Sequence, residues 1–238
     1  MTSSSGYSIR QGFETAVRWA DSEGWEPGSN DAPAFYAADP GGFHGAEFKG
    51  ELVATMSAVR VADSVAFLGF YIVKPALRGT GIGKALWDRT LKGLEGYVLA
   101  GDAVPAQISN YESEGFEVCY RNSRFAGPSP SGQPEPGQGE IRAGAISGFA
   151  ASRMSSLGMR IGPVFSSNPE QAQALILSLA KGHDGRIAVD VPLPNTAAVE
   201  MLVSLGLEPE FETARIYRGR TPDLPLDRIF GITSLELG

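Results

Sequence analysis

The sequence has a single cysteine, Cys119, and two histidines, His44 and His183, in 238 residues. One thiol cannot close an internal disulfide, and two isolated imidazoles give no cluster from which to build a zinc site, so a metal-free protein is expected. Cys119 itself, in a stretch that reads as a strand over 116–120, is expected to be a small core residue. Basic residues are also scarce: 20 Lys and Arg against 27 Asp and Glu leave a net charge of −7. Surfaces for nucleic acid or anionic membranes need a basic face to neutralise phosphates, so neither partner is expected. An acidic body instead suits a cationic, amine-bearing molecule. Apolar runs all fall short of the roughly eighteen residues that span a bilayer. The opening Met-Thr-Ser-Ser-Ser-Gly lacks the charged and apolar regions of a secretory leader. These absences together point to a cytoplasmic protein.

Apolar residues make up 42% of the chain, ample for a packed core. Residues 126–140, rich in Pro, Gly and Ser, have almost no side chain to bury and read as a linker between an N-terminal domain, 1–125, and a C-terminal domain, 141–238. The two sides repeat one order of elements. On the first side a strand ends at Val73, a helix opens near Lys84, an inner strand covers 97–100, and a short helix leads through Gly115-Phe116 into a strand reaching Phe125. On the second, a strand over 159–165, a helix over 169–181, a strand over 186–191 and a helix over 196–205 lead through Gly206-Leu207 into a strand reaching Ile216. Gly115 to Arg124 and Gly206 to Arg215 have the same separation, and Asp102 and Asp190 each begin the connection after an inner strand. An internal duplication is the natural reading. Apolar stripes at helical period (Leu86, Trp87, Leu91, Leu94; Ala172, Leu175, Ile176, Leu179) support the helices, and Asn168 and Asn195 stand where N-caps belong.

The stretch that carries chemistry follows the apolar run Phe-Leu-Gly-Phe-Tyr-Ile-Val at 67–73, where Arg78-Gly79-Thr80-Gly81-Ile82-Gly83-Lys84 opens a helix. Three glycines allow a tight turn that presents N–H groups to an anion, a helix N-terminus adds partial positive charge, and Arg78 and Lys84 add full charges. A pyrophosphate fits such a cradle. The P-loop of nucleoside triphosphatases is excluded because Arg78 stands where its first glycine belongs and Ala85 follows the Gly-Lys pair. The dinucleotide fingerprint fits poorly, with Lys84 at the third glycine and only Asp102 as a loose match for its acidic residue.

Val73-Lys74-Pro75 followed by Arg-Gly-x-Gly-x-Gly, and then Tyr111-x-x-x-Gly115-Phe116, resembles the GNAT superfamily of acetyl-CoA-dependent N-acetyltransferases. The resemblance implies an α/β fold of tandem GNAT-like domains, each a central twisted, mostly antiparallel sheet flanked by helices. It implies acetyl-CoA as acyl donor, with CoA as product, and a direct transfer to a primary amine on a small molecule or peptide. Under it, residues Arg78, Gly79, Thr80, Gly81, Ile82, Gly83 and Lys84 hold the cofactor, with backbone N–H groups near Ile72 and Val73 facing the thioester where their strand splays from the next. Tyr111 takes the general-acid position, a phenol with a pKa near 10 able to protonate a departing thiolate whose thiol pKa is about 8.5. Asn110 is open between a hydrogen bond to CoA and a turn or cap. The family's asparagine seven residues before the tyrosine is Val104 here. On the acceptor side Trp25, Glu26, Asp31 and Tyr71 are candidates, with Glu47, Phe35 and Tyr36 nearby in sequence; Glu26, Asp31 and Glu47 read first as solvated loop charges, and Trp25 and Phe35 equally as core. No residue reads as the general base.

The second side lacks this chemistry: Ser166-Ser167-Asn168-Pro169-Glu170 replaces the glycine loop, and Leu202 stands at the tyrosine position. It resembles the degenerate C-terminal domain of tandem GNAT proteins. The alternative to an enzyme is a non-catalytic acyl-CoA-responsive binding or interaction module. Monomer and homodimer are both compatible with the sequence.

Overall fold

A computed structural model describes residues 9–131 and 146–238. The described residues form one mixed sheet of ten strands flanked by helices. Helices α1 (Ile9–Ser22) and α2 (Asp31–Ala38) precede a meander of β1 (Phe43–Phe48), β2 (Glu51–Ala62) and β3 (Val65–Val73). Helix α3 (Ile82–Leu91), β4 (Val98–Ala103), the short α4 (Ile108–Ser113) and β5 (Glu117–Pro128) complete the first half. The second half runs β6 (Gly148–Met154), β7 (Met159–Ser166), α5 (Pro169–Ala180), β8 (Arg186–Pro192), α6 (Thr196–Ser204), β9 (Glu208–Arg218) and β10 (Ile229–Gly231). Of the expected linker, Ala126 to Pro128 close strand β5, and residues 132–140 lie outside the described residues. Asn168 and Asn195 are N-caps: their side chains accept from the N–H groups of Gln171 and Ala198.

Sequence-level reasoning expects two sheets, one per domain, but the strands interleave in the order β1-β2-β3-β4-β9-β5-β8-β7-β10. Strand β5 of the first half and β9 of the second each leave their own half and pair with the inner strand of the other. Thus β9 lies antiparallel on β4, β5 lies antiparallel on β8, and β5 and β9 pair with each other along almost their whole length. The exchange is pinned by charge. In register, Asp102 of β4 faces Arg215 of β9, and Arg124 of β5 faces Asp190 of β8. Both pairs are ion pairs at 2.8 Å, and all four side chains are buried. The repeated residues of the duplication have become reciprocal clasps between the halves.

Glu26 and Asp31 extend this buried network. Glu26 pairs with Arg124 and Arg186 and accepts from the Ser155 hydroxyl, while Asp31 pairs with Arg153 and accepts from the Gly28 N–H. Neither is a solvated charge: Glu26 is 2% and Asp31 3% exposed, and together they tie the loop around the start of α2 to the second half. Burial acts against the charge of Asp190, yet Arg160 and Arg124 outweigh it and hold that carboxyl below its usual range.

Two apolar layers clamp β3. Phe13, Ala16 and Ala20 of α1 and Phe35 of α2 cover Phe70 and Ile72, which assigns Phe35 to the core; Leu86 and Trp87 of α3 cover Ala66 and Leu68. Cys119, expected in the core, is exposed, because the outer end of β5 from Glu117 to Cys119 faces solvent.

Candidate active site

The crevice at the centre of the first half arises from a bulge in β3. Parallel pairing of β3 with β4 runs from Val65↔Val98 to Leu68↔Gly101 and then stops. Just beyond, Phe70 takes a positive φ of 47° and the register with β2 slips between Thr55 and Ser57. A bulge increases local twist and bends the strand, and here β3 diverges from β4 over its last residues. A non-glycine residue at positive φ is strained by about 1–3 kcal/mol. Phe70 is held there by ring contacts with Phe13 and Phe35 and by the Thr55 hydroxyl, which donates to its carbonyl at 2.9 Å.

Divergence leaves an unpaired strand edge. Lys74 donates its N–H to Val53 on the β2 side at 2.9 Å. Because successive residues of a strand point their N–H groups to opposite edges, the Val73 N–H faces the open crevice and that of Ile72 faces β2. Only one of the two expected backbone donors is therefore directed into the crevice. Arg78 Nε donates to the Val73 carbonyl at 3.0 Å, folding the loop back against the strand end.

At the crevice mouth the glycine loop has the form of an anion cradle. Gly79 and Gly81 have φ of 75° and 87°, and a Cβ on either would meet open space, so the loop's outer surface is bare backbone. Gly81 caps α3 with no side-chain bond, and the first turn of α3 carries no acidic residue, leaving the first N–H groups of the helix available. The Thr80 hydroxyl donates to the Leu77 carbonyl. Ile82 packs inward on the core beneath the loop. Gly83 is required for a different reason: a Cβ there would lie 2.8 Å from the Tyr71 hydroxyl and 3.0 Å from Val73 Cγ2. Arg78 and Lys84 are both half exposed and both engaged, Arg78 with Glu23 and Lys84 with Asp88 and Glu114. The Asn110 amide donates to the Gln107 side chain, which fits the turn role.

Deeper in, the crevice is lined by Trp25, Tyr71, Asp102, Val104, Tyr111, Phe211 and Glu236, among others. Tyr111 stands edge-on to Trp87 and Phe116, with ring centroids 5.7 Å from each. Burial, with a smaller contribution from Tyr71, pushes its phenol well above the ordinary range, so it holds its proton at all physiological pH. Burial likewise raises Tyr71, which lines the crevice and whose hydroxyl lies toward Gly83 and the loop. A larger cavity, lined by Phe13, His44, Glu47 and Met56, lies across β3 and shares only Phe70 with the crevice. Glu47 lines that cavity, away from the loop and Tyr111.

Among the described residues, the equivalent strand gap in the second half is filled. Pairing of β7 with β8 also stops early, after Arg160↔Ala188, but β10 fills the gap: Ile229 and Gly231 pair with β7, and Ile232 donates to the Asp190 carbonyl. Its helix α5 begins with the Asn168 cap and Glu170, which would repel an anion.

Residues sequence reasoning missed are Glu236, Leu235 and Phe211, all brought to the crevice by the second half. For Glu236 the available signal was one carboxylate in an otherwise uncharged tail, Ile232-Thr-Ser-Leu-Glu-Leu. Among the described residues no group of three or more His, Cys, Asp or Glu is placed to hold a metal ion, and no helix is long and apolar enough to cross a membrane.

Comparison with known proteins gives the same picture twice over. The acetyltransferase (GNAT) family profile matches residues 9–101, and a second acetyltransferase (GNAT) domain profile matches residues 138–231. The holothin acyltransferase of Pseudoalteromonas sp. (strain SANK 73390) is 29% identical, the match covering 95% of this chain and 91% of that protein. Among solved structures, an acetyltransferase described as putative from Pyrococcus horikoshii superposes with a TM-score of 0.75 at 16% identity, over 98% of this chain and 95% of its own. A tandem GNAT protein from the clavulanic acid biosynthesis pathway superposes with a TM-score of 0.63 at 12% identity, over 91% and 96%. At these identities the structures speak to fold alone.

Proposed function

The chain belongs to the GNAT family and is a tandem-domain acyltransferase, and on that premise we propose that it transfers an acetyl group from acetyl-CoA to a primary amine in the crevice of its first half. The observation that carries this reading is the unpaired edge of β3 between the glycine loop and Tyr111. The glycine loop would hold the anion, the Val73 N–H would face the acyl group, and Tyr71, whose hydroxyl lies against Gly83, joins that loop to the crevice lined by Tyr111.

Acetyl-CoA fits the residues present: bare glycine backbone and a free helix N-terminus suit a pyrophosphate, and Arg78 and Lys84 stand beside them with partners that an anion can replace. When bound it supplies an acyl carbonyl and a thiolate leaving group. The Val73 N–H is placed to hold the carbonyl oxygen as charge develops on it, a contact worth several kcal/mol when pre-oriented. Tyr111 gives its proton to the departing sulfur. Trp25 and Phe211 wall the deep end against water. The acceptor is a small-molecule or peptide amine; the matched relative named for holothin makes small amines the first class to screen.

Incubation of the protein with acetyl-CoA and a panel of primary amines, read by mass spectrometry for the product amide, tests the reading. Amide formation abolished by Tyr111→Phe, with acetyl-CoA affinity by titration calorimetry unchanged, is expected. Binding of acetyl-CoA with no amide from any amine would instead support the binding module.

A further inference from the structure

Glu236 is a buried carboxylate without a partner. Its side chain is 2% exposed, Oε1 has no hydrogen-bond donor, and it lines the crevice together with Tyr111, Tyr71 and Trp25. The cations nearest to it are already committed: Arg124 to Asp190 and Glu26, and Arg160 to Asp190 and the Glu26 carbonyl. Burying a carboxylate without pairing it disfavours its charged form, and the fold nevertheless keeps this one unpaired.

The tail that carries Glu236 is held from several sides. The Ser234 hydroxyl accepts from the N–H groups of Glu236 and Leu237, Gly238 donates to the Ser234 carbonyl, and Ile232 is bonded to β8. Gly69, next to the Phe70 bulge, leaves room for this tail: a Cβ there would lie 2.2 Å from the Glu236 carbonyl oxygen. The second half therefore closes its own gap with β10 and delivers the following residues into the crevice of the first.

Building on the acyltransferase reading, we infer that Glu236 is the general base for the acceptor amine, and that the acceptor is a cation whose ammonium enters this apolar-walled crevice. The carboxylate takes one proton from the ammonium, and the freed lone pair forms the C–N bond. As the C–S bond breaks, sulfur takes the Tyr111 proton, the second ammonium proton returns to the Tyr111 oxygen, and Glu236 releases its proton to water. The groups facing Glu236 favour a basic carboxylate on balance. Burial, together with Asp190 of β8 and Asp31 of α2, raises its affinity for protons, against Arg160 of β7 and Arg124 of β5. Within the crevice, Asp102 of β4 is neutralised by Arg215, and Tyr71 and Tyr111 remain uncharged.

The test is the pH dependence of kcat/KM for Glu236→Gln beside wild type, on an amine the wild type acetylates. Loss of the base should lower the rate by roughly 10²–10⁴-fold for a strongly basic amine. The wild-type profile should level off above the carboxyl titration, whereas that of the variant should climb with unit slope toward pH 9 as free amine appears. A weakly basic amine, already neutral at pH 7, should react at nearly the same rate with both. Glu236→Asp should recover part of the rate and the plateau. Equal rates for Glu236→Gln and wild type, an equal loss for basic and weakly basic amines, or no recovery in Glu236→Asp would each overturn the assignment. Absence of amide with wild type would instead refute the acyltransferase reading on which it rests.

Discussion

The reciprocal clasps allow a controlled measurement on a single strand. Strand β9 carries two kinds of ion pair, one to β5 and one to β4. Arg121–Glu212 joins it to β5 at the surface, with side chains 47% and 43% exposed, while Arg215 of β9 reaches Asp102 with side chains 6% and 0% exposed. Breaking an exposed pair costs about 0–1 kcal/mol, because water screens it and two long side chains lose freedom in making it. Breaking a buried pair leaves a charge with neither solvent nor partner, and costs about 3–5 kcal/mol. Asp102 would retain only the Asn122 amide, which donates to Oδ1 at 2.7 Å. For a chain of this size each kcal/mol shifts the melting temperature by roughly 2–4 °C, so Arg215→Ala should lower it by about 6–20 °C and Arg121→Ala by under ~4 °C. Urea unfolding followed by near-UV and far-UV dichroism gives the free energies directly, and Trp19, Trp25 and Trp87 in the first half report its packing. Asp102→Asn combined with Arg215→Met, which removes both charges, should recover most of the loss. Equal effects of Arg215→Ala and Arg121→Ala would refute the argument that burial and strand exchange make this pair decisive.

Three further outcomes follow from the geometry. Arg78→Glu should weaken acetyl-CoA binding at least ~10-fold, as expected for loss of a charge-assisted contact, measured by titration calorimetry. Gly83→Ala forces a Cβ against the Tyr71 hydroxyl and Val73, so KM for acetyl-CoA should rise while Tyr71→Phe in the same background recovers part of it. Asp190 has a depressed carboxyl in the folded chain, so its unfolded form binds more protons in the acid range. Its stabilisation is complete above the ordinary value near 3.9 and is lost as pH falls through the lower folded value. Thermal melts from pH 6 downward should show this acid loss in wild type and a flatter profile, from a lower starting stability, in Asp190→Asn.

Local sequence signals located the loop, helices α3 to α6 and the caps, because each depends on a few adjacent residues: Gly79 and Gly81 for the tight turn, Asn168 and Asn195 for their caps, and Gly115 four positions after Tyr111; helices α1 and α2 were not located. The equal spacing of Gly115–Arg124 and Gly206–Arg215 was also visible, as were Asp102 and Asp190. What was not visible is that each Arg answers the other half's Asp, since strand order is set by long-range pairing that no local pattern encodes. Glu26 and Asp31 were misread for the same reason: an acidic residue in a Gly- and Pro-rich loop resembles a solvated one until Arg124, Arg186 and Arg153 arrive from distant segments. Cys119 was misplaced because β5 is covered on both faces only from Asn122 to Ala126, while its first residues, Glu117 to Cys119, are exposed.

Strand exchange also has a consequence for synthesis. When the ribosome has completed β5, strand β4 still has a bare edge, and its partner β9 lies about ninety residues further along the chain. At roughly 5–20 residues per second, the first half waits many seconds with an open, apolar strand edge of the kind that promotes aggregation. Neither half reaches its final sheet before residue 218 is made. The nascent protein should therefore depend on holding chaperones, and separately expressed halves should become soluble only when made together.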